Sequence, residues 1–74
     1  MQNNNTGYQT FVFSSITYVH KAEDVLYRNQ IKSRIIHVNA QLAKGCSYAL
    51  EVNNIWQQTA KALFDRFNIE YWIL

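Results

Sequence analysis

The spacing of apolar residues alternates along the chain between strand-like and helix-like patterns. Tyr8-Gln9-Thr10-Phe11-Val12-Phe13-Ser14 is rich in aromatic and β-branched residues over the length of one strand, and predicts strand one. Ser14, Ser15 and Thr17 offer oxygens to the free amides of a helix start. Val19, Ala22, Val25 and Leu26 then fall on one helical face, so helix one is expected from about Thr17 to about Asn29. Arg34-Ile35-Ile36-His37-Val38 returns to β-rich composition as strand two, and the polar stretch Asn39 to Gly45 separates it from strand three, Cys46 to Val52. In strand three Cys46, Tyr48, Leu50 and Val52 share one parity, and Ser47 and Glu51 the other. Asn53 and Asn54 are candidate caps, with Gln57 three residues after Asn54 as in a capping box. Trp56, Ala60, Leu63, Phe64 and Phe67 form an apolar stripe, giving helix two from about Asn54 to Phe67. Ile69 to Leu74 reads as a short final strand. Residues 1–7 read as a disordered polar tail and residues 8–74 as one domain.

The order βαββαβ predicts an α+β fold, the ferredoxin-like sandwich, with an antiparallel sheet of order 4-1-3-2 and both helices on one face. In that arrangement the end of strand one and the start of strand three meet at the same sheet edge. Cys46 is therefore expected beside the Ser14–Thr17 turn, near the N-terminus of helix one.

Composition narrows the function. Apolar and aromatic residues make up 49% of the chain, charged residues 16%, and proline is absent, which excludes disordered and collagen-like classes. The net charge is +2, and the basic residues (Lys21, Arg28, Lys32, Arg34, Lys44, Lys61, Arg66) are spread rather than gathered in a stripe, so no nucleic-acid partner is expected. No apolar run approaches the length of a membrane span, and the polar start carries neither the basic nor the apolar region of a signal peptide. A lone cysteine in such a chain suits a reducing cytoplasm. With glycine only at positions 7 and 45, no glycine pattern can cradle a phosphate. Cys46, His37 and His20 lack the paired spacing of a metal site, and Glu23, Asp24, Glu51, Asp65 and Glu70 form no pair suited to acid/base work. No metal or cofactor is expected.

Cys46 holds the remaining chemistry. The thiolate is the reactive form, and a free cysteine with a pKa of about 8.5 is only partly ionised at neutral pH. The amides at a helix N-terminus and the Lys44 ammonium would favour it, and Gly45 would let the backbone approach whatever is attached to the sulfur. Such a thiol could hold sulfur or selenium as a persulfide or selenosulfide. The parity shared with Tyr48, Leu50 and Val52 is equally that of a small hydrophobe packed in the core, a common fate of free cysteine. His37, across the hairpin, stands either as an assisting base or as a solvated strand-end residue. His20 is expected on the surface.

From Tyr8 onward the chain resembles a family of small bacterial domains described as selenium/sulfur-carrier-like. Strand one followed by Ser15, Ala22-Glu23 with Leu26, and Ile31 to Ile36 are similar to the family's first three elements. Gly45-Cys46-Ser47-Tyr48-Ala49-Leu50-Glu51-Val52 is similar to the segment in which a cysteine opens its third strand. The resemblance implies that Cys46 is the carrier residue, flanked by Ser15, Lys44, Gly45 and Ser47. It implies an accessory carrier rather than a full catalyst, exchanging sulfur or selenium with donor and acceptor proteins. The family's Pro-Arg before the cysteine is replaced here by Asn39-Ala40, its serines by Ala43-Lys44-Gly45, and its following glycine by Ser47. The arginine that would steady an anionic sulfur is therefore absent, and Lys44 supplies charge without a planar fork.

A rival from another class is a non-catalytic regulatory or protein-binding module. It would dimerise through its sheet or through the apolar ending Tyr71–Leu74, with Cys46 in the core. An acyl-phosphate hydrolase on the same fold is excluded by the lack of an arginine between Ser14 and Thr17.

Overall fold

The computed structural model describes residues 7–74, so residues 1–6 of the expected tail lie outside the described residues. The chain forms β1 (Tyr8–Val12), α1 (Ile16–Arg28), β2 (Ser33–His37), β3 (Tyr48–Asn53), α2 (Gln57–Arg66) and β4 (Trp72–Ile73). Single 3-10 turns occupy Ala40–Leu42 and Asn54–Trp56. The four strands make one sheet of order β2-β3-β1-β4, and every neighbouring pair is antiparallel. Read from the other edge, this is the expected 4-1-3-2. The fold is α+β.

Both helices close over one face of the sheet. Phe11 and Leu50 are register partners, and with Phe13 and Val52 they pack against Val19, Ala22 and Leu26 of α1 and Ala60 and Phe64 of α2. Phe64 is the hub: its ring lies edge-on to Phe11 at 5.3 Å and to Phe13 at 5.6 Å, and tilted against Tyr71 at 5.5 Å. Such edge-to-face pairs add to the burial of apolar area.

The two helices stop by the same device. Gln30 and Asn68 adopt left-handed φ of 59°, and the next residue, Ile31 or Ile69, donates its N–H back to Leu26 or Phe64. This is the Schellman pattern, and it buries both isoleucines. It also shortens the final strand from the expected Ile69–Leu74 to Trp72–Ile73, because Ile69 is committed to ending α2. The start of α1 differs from expectation too. Ser15 caps α1 through its carbonyl, which accepts from Tyr18 and Val19, while its hydroxyl makes no capping bond. Before α2, Asn53, one of the two expected caps, opens the 3-10 turn that leads into the helix, its Oδ1 accepting from the Ile55 N–H at 2.9 Å.

The opposite face of the sheet is also partly apolar. Val12 and Ala49 are register partners there, covered by Ala43 and flanked by Ile36, Val38 and Trp72.

Tyr71 is half-buried against the main core and packs edge-on to Phe11 at 5.5 Å. Its hydroxyl pKa is raised above 10, chiefly by burial and secondarily by the Asp65 carboxylate. A phenol harder to ionise folded than unfolded contributes stability below the unfolded value, and that stability is lost as pH rises past about 10. Thermal melts from pH 8 to 11 should show a decline that flattens in Tyr71→Phe; an unchanged slope in that variant refutes the assignment.

Candidate functional site

The pairing of Val12 with Ala49 fixes where the chain runs beyond each strand. The segment leaving β1 toward Ser15 and the segment entering β3 from Cys46 lie at the same end of the sheet, three residues past that pair in each case. Cys46 and the α1 N-cap Ser15 are thus carried to one end by the strands themselves.

Cys46 is not yet in β3, which begins at Tyr48. It closes a tight turn, its N–H donating to the Ala43 carbonyl at 3.1 Å. The two residues between, Lys44 and Gly45, both have positive φ, 58° and 85°. Consecutive positive values are what primed turns require. A Cβ on Gly45 would meet nothing within 4 Å, so the backbone angle alone calls for glycine. The preceding residues are bonded just as closely. The Ala40 carbonyl accepts from Ala43 at 3.2 Å and Gly45 at 2.9 Å, and Asn39 Oδ1 accepts from the Gln41 N–H at 2.9 Å.

This turn puts Cys46 on the helix side of the sheet, within the main core cluster, with 7% of its surface exposed. Its chain neighbours Gly45 and Ser47 are both exposed, so the cysteine lies at the rim of the core, one residue beneath the surface.

The other residues singled out from sequence divide between the faces. Ser15 is half-buried at the start of α1, and the Ser47 carbonyl accepts from the Val38 N–H at 2.9 Å, extending the β2–β3 hairpin. Lys44 turns the other way: its Nζ stands 4.9 Å from the centre of the Trp72 ring, in the apolar cluster on the opposite face. The cation expected near the sulfur is held on an indole across the sheet. His37 is exposed and its ring lies tilted against Tyr48, with centroids 4.4 Å apart. His20 is exposed, with Nδ1 4.0 Å from Glu23 Oε1.

Two features escaped the sequence reading. One is the cluster around Trp72; the other is a cleft of about 480 Å³ at the far end of the same face, bordered by Tyr8, Arg34, Glu51 and Trp56. The signal was present in Phe11-Val12-Phe13 and Ala49-Leu50, which are apolar at both parities, as strands covered on both faces are.

Among the described residues no group of three or more His, Cys, Asp or Glu could hold a metal ion, and no helix is long and apolar enough to cross a membrane. No curated protein and no solved structure matches the chain. A family model does, over residues 8–74; its description is "Putative Se/S carrier protein-like".

Proposed function

Since the chain belongs to the Se/S carrier protein-like family, we propose that it accepts sulfur or selenium on Cys46 and passes it on. One observation carries the reading: the chain's single cysteine lies inside the matched span, where the exit of β1 and the entry of β3 converge. The scaffold is read as a ferredoxin-like sandwich, and the lone thiol fits a bacterial cytoplasm, where reduced cysteines persist.

The transfer is an exchange without net oxidation. The Cys46 thiol gives its proton to solvent, and its thiolate attacks the outer sulfur or selenium of a donor protein's persulfide or selenosulfide. The donor's bond to that atom breaks as the Cys46 bond forms, and the donor leaves as a thiolate. An acceptor thiolate then repeats the step on Cys46. With only 7% of Cys46 exposed, the structure around it must open before the sulfur is reached, and the positive-φ turn from Ala43 to Cys46 is where we place that opening. Ser15 and Ser47, at the same end, are the candidates to contact the added atom.

Incubation with a cysteine desulfurase and free cysteine should add the mass of one sulfur atom to the chain, removable by thiol reductant and absent from Cys46→Ala. An unmodified chain beside a desulfurase that loads another carrier in the same tube would refute the reading.

A further inference from the structure

The back of the sheet is covered at only one end. Near the Cys46 turn, Ala43 folds over Val12 and Ala49 and the Lys44 ammonium lies on Trp72. At the other end, where β1 and β2 begin and β3 finishes, the face opens into the 480 Å³ cleft. That volume lies in the range of small-molecule sites.

The cleft combines three kinds of group. Tyr8 and Trp56 are 62% and 41% exposed, large aromatic surfaces with little of this chain over them. Lys32 and Arg34 set two cations against one carboxylate, Glu51, and Lys32 forms no ion pair among the described residues. Arg34 holds Glu51 across the β2–β3 ladder with Nε at 3.2 Å and Nη2 at 2.7 Å, and both bonds converge on Oε1. Oε2 therefore stands outside the pair, as an acceptor at the cleft.

We propose that this cleft binds a nucleoside monophosphate. The base stacks on Trp56 or Tyr8, as any nucleobase can on an aromatic side chain. Arg34 and Lys32 meet the phosphate, the guanidinium as a planar fork and the ammonium as a point charge. Glu51 Oε2 accepts from a ribose hydroxyl, the service that a carboxylate performs in dinucleotide folds. An anion without a ring would leave the aromatic pair unused, and a neutral ring would leave the cations unused. The site lies at the opposite end of β3 from the Cys46 turn, and the inference goes beyond the carrier reading without depending on it.

The test uses the Trp72→Phe chain, in which Trp56 is the sole indole. Titration with AMP should quench its fluorescence saturably, with a Kd on the order of 1 mM or below. AMP added to Arg34→Gln should bind roughly tenfold more weakly, the loss of one charge-assisted contact, and adenosine, which forgoes the contacts of both Arg34 and Lys32, should bind more weakly still. The 2′-deoxy analogue should also weaken, and inorganic phosphate alone should leave the fluorescence unchanged. The proposal is overturned if AMP leaves Trp56 unchanged, or if adenosine matches AMP and Arg34→Gln makes no difference. A short oligoadenylate that binds far more tightly than AMP, with an affinity falling steeply with salt, would assign the cleft to a nucleic-acid strand instead and overturn it equally. Circular dichroism of Arg34→Gln guards against a folding defect, and Lys32→Gln, altered at an exposed loop residue, supplies a second variant with the same expected direction.

Discussion

Phe64→Ala is expected to remove about 3–5 kcal/mol of stability, the range found when a fully buried aromatic ring is deleted. Phe64 has no exposed surface and joins α2 to β1 and to the approach to β4 through Phe11, Phe13 and Tyr71. No neighbour can collapse into the space without giving up its own edge contact. A domain of this size holds roughly 4–11 kcal/mol in all, at about 0.05–0.15 per residue. One substitution should therefore leave the chain partly unfolded at room temperature. Urea unfolding followed by circular dichroism measures the loss, with Phe67→Ala as a control. Phe67 lies three residues on and is 44% exposed, so its removal should cost well under the same amount. Similar midpoints for the two variants would show that the ring cluster does not hold the sheet and helices together as described.

The second large effect concerns access to Cys46. Because Cys46 is only 7% exposed, alkylation by iodoacetamide should be slower than that of an unstructured cysteine by the factor that the surrounding structure stays closed. Gly45→Val places a β-branched side chain at a φ of 85°, a strain of about 1–3 kcal/mol borne by the closed turn. Alkylation should accelerate roughly tenfold for each 1.4 kcal/mol of that strain. A remote core substitution of equal cost, Val25→Ala in α1, should leave the rate nearly unchanged if the turn opens by itself. Equal acceleration by the two variants would mean that Cys46 is reached only through global unfolding, which no carrier could use. The comparison thus separates a gated thiol from an inert core residue.

Much of the architecture could be read from residues alone, because alternation and helical spacing report burial directly. The six elements, their order and the strand arrangement follow from such patterns as Val19, Ala22, Val25, Leu26 on α1. Their ends do not. Whether Ile69 begins a strand or ends a helix depends on the N–H it donates to Phe64, a choice made by backbone geometry rather than by side-chain type. The site was legible to the same depth. Topology brought Cys46 to the same end of the sheet as Ser15, yet the direction of Lys44 was invisible. A residue at positive φ breaks the parity by which neighbours in a strand are assigned to faces, so Lys44 and Cys46, two apart, lie on opposite sides of the sheet. The cleft was hidden for another reason: Tyr8, Arg34 and Trp56 are far apart in sequence and meet only once the strands pair and the turn after β3 folds back.

The lysine seated on Trp72 moors the turn before Cys46 to the back of the sheet, the face that the cysteine itself does not occupy. Anything laid on the indole from behind would have to displace that ammonium, and the turn would lose one of its moorings.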